Sequence, residues 1–379
     1  MLLNLNLSSK VIKMNQFNNA ISDDLIEVMH ASPYRPSVTI ILPFEPLHSL
    51  ISELEYSLKI ASGKIKDELN ENYPAGIVLP MLQKLDRIIT ELDYKTQKKS
   101  VAIYLSPVFE KVIYLDIKAD ERIMVDGTFE IRDLVYSNKH LHKYLLLILS
   151  GKESRLYLGN SKSFEKLASP GSVYAYVNDA PEKILNFSDM SERRQIIRDK
   201  FLQHTDNLLD KVLKEHQIPL FVMGTEKLLG HFKKHTKHSN TVFKYITGNY
   251  EDHTLPQLKA IMKPYIASWF RAKQKAALVQ LERAADKKKL VFGIKNVWNA
   301  VNNFHGRLLV VERNFMVAAR LTEKNDTIEL AEKPYTKRPD TMDLVDDVIE
   351  KVLENGGDVE FVDKNLLKDY NQIALVKYY

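Results

Sequence analysis

The stretch KYLLLILSGKESRLYL (143–158) decides how the middle of the chain folds. It opens on KYLLLILSG (143–151), a continuous apolar run of the kind a buried strand needs. SRLYL (154–158) then alternates apolar with polar residues and reads as the next strand. Farther on, Phe201, Leu202, Leu208, Leu209, Val212 and Leu213 stand at helical spacing, and that helix stops before Pro219. LFVMG (220–224) is a second short buried strand, and Gly224 leads directly into a basic helix. Strand, helix, strand, helix in alternation predicts an α/β layer structure.

The flanking segments carry the same two signals. Upstream, SVTIIL (37–42) lies between Pro36 and Pro43 and reads as a strand. Leu54, Leu58, Ile65 and Leu69 predict one helix, and Leu79, Leu82, Leu85, Ile88 and Leu92 a second. VAIYL (101–105) and VIYLDI (112–117) read as a hairpin across Ser106-Pro107, and GTFEIRDLV (127–135) closes the segment. Downstream, a Lys-rich helical stretch over 264–289 leads to the strand RLLVV (307–311). Leu344, Val345, Val348, Ile349, Val352 and Leu353 then form a helix that Asn355-Gly356-Gly357 ends, because glycine takes the left-handed cap. Asp346 and Asp347 read as the wet edge of that helix. DVEFV (358–362) and IALVKY (373–378) are the last strands. The division expected is an extension 1–22, an N-terminal α/β domain 23–138, a middle domain 139–265, and a C-terminal domain 266–379 that takes in the Lys-rich linker helix.

At 379 residues, with 45% apolar and 27% charged, the chain has the profile of a folded protein of two or three domains. It has no cysteine, which excludes disulfides, thiol catalysis and thiolate zinc sites and fits a reducing cytoplasm. No apolar run reaches the roughly 18 residues of a membrane span. The opening MLLNLNLSSKVIK is too short and polar for a secretory signal and reads as a loose extension, with Met14 a candidate start. Charge is uneven along the chain. Residues 227–295 hold fifteen Lys and Arg against four acids, whereas 296–379 hold eleven against fifteen. A concentrated basic segment is the footprint expected for contact with phosphate backbones.

The order of PSVTIILPFEP (36–46), VAIYLSPVFEKVIYL (101–115), FEIRDLV (129–135), KYLLLILSGKESRLYL (143–158), DLVDDVIEKVLENGGDVEFV (343–362) and IALVKYY (373–379) resembles the bacterial branch of the archaeo-eukaryotic release factor and Pelota superfamily. Within it the chain looks most like the Balon-like ribosome hibernation branch. The resemblance implies three domains: an α/β N-terminal domain, an RNase H-like middle domain, and an α/β/α C-terminal domain like the ribosomal proteins that bind kink-turn RNA. It implies the ribosomal A site as the place of binding and a translational GTPase, elongation factor Tu for this branch, as a partner. It implies no cofactor, no membrane and no small-molecule substrate. Release factors carry Gly-Gly-Gln on a middle-domain loop, but the Gly-Gly pair here is Gly356-Gly357, followed by Asp358. The corresponding loop, PEKILNFSDMSERRQ (181–195), has no glycine, and Asn-Ile-Lys-Ser is absent. The expectation is therefore a non-enzymatic factor that occupies idle ribosomes; the alternatives are Pelota-like rescue of stalled ribosomes and an RNA-processing hydrolase.

Candidate rRNA contacts begin at that loop. Arg193, Arg194, Gln195 and Arg198 sit where it meets a helix, and Asn186 and Phe187 lie on the loop itself. Arg binds phosphates bidentately, and an unpaired base can stack on Phe. A solvated helix start and a buried loop anchor would use the same residues. In GHFKKHTKHSN (230–240), Lys233, Lys234 and Lys237 form a basic face. His231, His235 and His238 share it at i, i+4 and i+7, a spacing open to metal binding. The surrounding lysines and the lack of a nearby carboxylate argue against a dication there. Arg271, Lys273, Lys275 and Lys287 to Lys289 serve either RNA contact or plain solubility. Lys95, Lys98 and Lys99 form a basic turn that could approach the decoding region or be an ordinary polar loop. No catalytic motif or carboxylate cluster for two-metal nuclease chemistry is evident on the middle strands.

Overall fold

The computed structural model describes residues 22–378 except 32–35, 141–142, 152, 161–163, 172–189, 217, 304, 322–327 and 331–341. They fall into two units, Leu141–Val279 and Ala20–His140 together with Gln280–Tyr379. The first and last sequence segments therefore share one unit.

In that unit the Ser22 hydroxyl accepts from the Leu25 amide at 3.3 Å and starts helix α1 (Asp23–His30). Strand β1 (Ser37–Pro43), helices α2 (Ile51–Asn72) and α3 (Ala75–Thr90), strands β2 (Ser100–Leu105), β3 (Glu110–Leu115) and β4 (Arg122–Asp126), and helix α4 (Arg132–His140) come next along the chain. The four strands make an antiparallel sheet ordered β3-β2-β1-β4. SVTIIL is buried along its length because both faces of the sheet are covered. Val38, Ile40 and Leu42 meet Leu54, Leu58, Met81 and Leu85 of α2 and α3. Ile41, Ala102 and Tyr104 point into a second core, shared with the C-terminal segment. Leu79, expected on the core face of α3, is instead 60% exposed. Val78, Met81 and Leu85 at i, i+3 and i+7 take that face, and Leu79 lies one residue off it.

The Leu141–Val279 unit holds β5 (Tyr144–Ile148), β6 (Ser154–Gly159), β7 (Phe164–Gly171), α5 (Met190–Glu215), β8 (Leu220–Gly224), α6 (Glu226–His235) and β9 (Val242–Thr247). Helix α7 (Leu255–Asp286) runs on past Val279. The sheet order is β7-β6-β5-β8-β9. Strands β5, β8 and β9 are parallel, and β6 and β7 antiparallel to their neighbours. That order and those directions are the RNase H-like arrangement. Leu145, Leu147 and Leu149 pack under α5 and α6. Tyr144, Leu146 and Ile148 pack against Leu258, Met262 and Trp269 of α7.

The C-terminal segment supplies β10 (Leu290–Phe292), α8 (Ile294–Asn302), β11 (Gly306–Glu312), β12 (Ala318–Leu321), β13 (Ile328–Leu330), β14 (Met342–Asp343), α9 (Leu344–Glu354), β15 (Asp358–Val362) and β16 (Ile373–Lys377). Its main sheet is ordered β10-β16-β11-β15, and a small sheet β13-β12-β14 lies beside it in sequence. Helix α9 ends as its glycines predict. Gly356 has φ 73°, and the amides of Gly356 and Gly357 donate back to the carbonyls of Leu353 and Val352 at 3.0 and 2.8 Å.

The two segments join through a buried exchange between helix starts. Asp346 accepts from the amides of Ile131 and Arg132 at 3.1 and 2.8 Å, at the head of α4. The Arg132 guanidinium in turn pairs with Asp343, whose carboxylate accepts from the Val345 amide at 3.1 Å and caps α9. Asp346 is 3% exposed, so it is not the wet edge that the sequence suggests. Its neighbour Asp347 is only partly buried and accepts from the Thr128 hydroxyl at 3.4 Å. Tyr136 meets Phe361 edge-on at 5.3 Å, and Arg313 stacks on Tyr136 at 4.3 Å.

Burial, then the charges of Asp346, Asp126 and Asp343, push Asp347 up to about 8. Burial pushes Asp346 up to about 7 against the pull of Arg132. Both groups hold protons that the unfolded chain releases near pH 4, so their contribution is complete below about pH 4 and is lost as pH rises toward 8. Asp347→Asn is expected to unfold at higher temperature than wild type, by a margin that grows from about pH 4 and levels off above about pH 8. Circular dichroism melts across that range check it, and a margin independent of pH counts against a protonated Asp347. Arg132→Leu, which leaves Asp343 buried without its cation, is expected to lose about 3–5 kcal/mol in urea unfolding. Adding Asp343→Asn, which keeps the cap but drops the charge, should recover part of that loss.

Candidate nucleic-acid interface

Gly224 is the last residue of β8, where a Cβ would crowd the Leu149 carbonyl oxygen at 3.0 Å. Helix α6 then buries Leu228, Leu229 and Phe232 and leaves Lys227, Lys233 and Lys234 exposed. On α5, Ile197, Phe201, Leu202 and Leu209 are buried, while Arg194 and Gln195 are exposed and Arg193 and Arg198 half-buried. These apolar stripes seat both helices on the same side of the sheet.

Packing brings the two basic groups of the sequence together. Burial, then the positive charge of Arg198, lowers the pKa of His231, and Lys234 and Lys227 act in the same direction. His235 Nε2 lies 3.3 Å from an Asp199 carboxylate oxygen, and His238 Nε2 lies 3.9 Å from one of Asp210. The sequence suggested no carboxylate near these histidines. The carboxylates come from α5, far upstream in the chain. The helical spacing also breaks, because α6 ends at His235 and Thr236 is extended with ψ 134°. His238 therefore stands beyond the helix.

Asp206, 5% exposed, fixes the turn after α6. It accepts from the Thr236 hydroxyl at 2.7 Å and from the Lys237 amide at 3.3 Å. The Thr236 hydroxyl oxygen also accepts from the His238 amide at 3.1 Å. Lys237 is thus exposed on a pinned turn, and Lys233 Nζ sits 4.6 Å over the Tyr245 ring. Asp206 was missed from sequence; its one signal is a carboxylate inside an otherwise apolar helical stripe. Asn186 and Phe187 lie outside the described residues. On α7, Lys273 is 5% exposed and so is not available to an outside phosphate, whereas Arg271 and Lys275 are exposed. Lys95, Lys98 and Lys99 belong to the other unit. There Lys98 is committed to Asp116 at 2.9 Å, while Lys95 and Lys99 are exposed.

Both helices fall within residues 143–305, which match the family model of Bacterial archaeo-eukaryotic release factor family 3. Over that span, which is less than half of its length, the chain is similar to the bacterial archaeo-eukaryotic release factors. No curated protein matches the chain in sequence. Among solved structures it is similar to ribosome-bound archaeal Pelota and ABCE1, at 12% identity over 94% of each chain and a TM-score of 0.43. It is similar to S. cerevisiae Dom34, a translation termination-like factor interacting with Hbs1, at 13% identity over 75% of each chain and a TM-score of 0.39. An archaeal translation termination factor matches at 13% identity over 94% of this chain and 97% of that one, with a TM-score of 0.25. Within residues 143–305, then, the cations of α5 and α6 lie on neighbouring helices. Among the described residues no group of three or more His, Asp or Glu is arranged to hold a metal ion, and no helix is long and apolar enough to cross a membrane.

Asp206→Ala leaves the Thr236 hydroxyl and the Lys237 amide without their acceptor. The expected cost is about 1–3 kcal/mol in urea unfolding, with faster amide exchange at Lys237 and His238. Exchange unchanged at those amides would mean that Asp206 does not hold the turn.

Proposed function

We propose that the chain is a ribosome-associated translation factor that lays the α5/α6 face on ribosomal RNA and occupies the A site of idle ribosomes. The observation that carries this reading is that Arg198 of α5 and Lys227 and Lys234 of α6 surround His231 within the family-matched span, with Lys237 beside Asp210 of α5 on the turn that follows. Phosphate contacts need cations on a rigid support and no base-specific geometry. Rigidity comes from the apolar stripes and from Asp206. The absence of Gly-Gly-Gln in the sequence supports occupancy and a non-enzymatic action rather than peptide release, and the lack of cysteine fits a reducing cytoplasm. In this reading Asn186, Phe187, Arg193 and Gln195 extend the rRNA contact, Lys95 and Lys99 approach the decoding region, and a translational GTPase such as elongation factor Tu is the delivery partner.

Sedimentation with vacant ribosomes over a salt series tests it. Wild type should pellet with ribosomes at low salt and be released steeply as salt rises. The triple change Lys233→Glu, Lys234→Glu and Lys237→Glu should weaken binding by about 100-fold and flatten the salt slope by about one for each phosphate no longer neutralised. No binding at low salt, or binding indifferent to the triple change, would sink the proposal. Splitting of stalled ribosomes into subunits in the same assay would favour rescue over occupancy.

A further inference from the structure

The three histidines at the α5/α6 face stand where a charge change alters the field that a phosphate meets. His231 is half-buried and faces Arg198 and Asp199 across the helix pair, with Lys227 and Lys234 on its own helix. His235 faces Asp199, and His238 faces Asp210, which Lys214 also engages at 2.7 Å. Asp206 on the same helix is occupied by Thr236 and Lys237, and β9 contributes Tyr245 beneath Lys233. With the imidazoles neutral, Asp199 and Asp210 set negative charge among the lysines. Protonated imidazoles offset those carboxylates and add cations between the fixed ones.

We propose that acidification tightens RNA binding at this face, through charge gained at His231, His235 and His238 opposite Asp199 and Asp210. The inference rests on the reading of the face as an RNA contact and names its regulation. Histidine is the side chain whose ordinary titration falls within the physiological range. Burial, then the charge of Arg198, holds His231 below the ordinary histidine value, while Asp199 and Asp210 stand 3.3 and 3.9 Å from His235 and His238. Because phosphate contact is blind to sequence, a generic RNA duplex serves as the probe.

The experiment is fluorescence anisotropy of the full chain with a short labelled RNA duplex at about pH 7.5 and about pH 5.5, at several salt concentrations. Wild type should bind roughly tenfold more tightly at the lower pH, with a salt slope steeper by about one per additional phosphate neutralised. His231→Gln, His235→Gln and His238→Gln combined should abolish the change and keep the affinity measured at the higher pH. Asp199→Asn with Asp210→Asn should raise affinity at the higher pH toward the acid value, a test that stands even if the histidine variant folds poorly. Wild-type affinity equal at both pH values, or a pH effect that survives the histidine changes, overturns the inference alone. No binding at either pH, or binding unaffected by the Lys-to-Glu triple change, overturns the RNA reading itself and this inference with it.

Discussion

Arg132 and Asp343 are each about 2% exposed, and a buried ion pair of this kind is stable only if further hydrogen bonds satisfy what the pair leaves over. Here those bonds come from helix starts and a loop carbonyl. Asp343 takes the Val345 amide of α9, and the Arg132 guanidinium also donates to the Phe315 carbonyl at 2.8 Å. Beside the pair, Asp346 takes the Ile131 and Arg132 amides of α4, which stand 215 and 214 positions away in sequence. Two amides that a helix start leaves orphaned are thus satisfied from the far end of the chain. The pairing sets the register between the first and last segments, and the core around Tyr104, Phe129, Val348 and Leu375 closes about it. Once those segments share a core, Leu141–Val279 is an excursion of the chain between two halves of one unit.

That excursion is built on a different principle. The sheet of the Leu141–Val279 unit is buried on both faces, with α5 and α6 on one and α7 on the other. Each helix spends one stripe on the sheet. The opposite stripe of α5 and α6 is free of core duties and can carry charge without desolvation cost. Cations that stay at the water boundary keep their hydration and contribute to the field outside the protein.

Much of this was legible in sequence, and the rest was hidden for identifiable reasons. Strands buried on two faces announce themselves as apolar runs, so β5, β8, β11 and β16 read directly, and β1 and β15 read as strands despite the buried Thr39 and Glu360 within them. Strand β7 is an exposed, mixed-polarity edge of its sheet, and β9 carries Lys244 and Thr247 exposed; neither has a clean period. The lysines of α6 and the arginines of α5 were visible as types, but their convergence was not, since periodicity says which face a residue takes and not what lies opposite. The carboxylates failed in the same way. Asp346 beside a core stripe looks like a wet edge until a second helix start 214 residues away in sequence is found to need it. Asp199 and Asp210 were likewise invisible as histidine partners.

The basic charges of the face do not all have the same explanation. Lys233 and Lys234 occupy the last turn of α6, where a cation offsets the negative end of the helix dipole and is worth about 0.3–1 kcal/mol to the helix itself. Their presence has a local cause and would be expected of many helices. Arg193 and Arg194 are the reverse case, since they stand within the first turns of α5, at the positive end of that dipole, where a cation is unfavourable by a similar amount. Glu192 is the acid in that first turn, and one carboxylate does not balance two guanidinium groups. Arg194 is exposed, so its charge works against its own helix without serving the core, and the proposed RNA contact would give it a use. The proposed RNA contact therefore draws on the arginines of α5 as well as on the more conspicuous run of lysines that α6 carries.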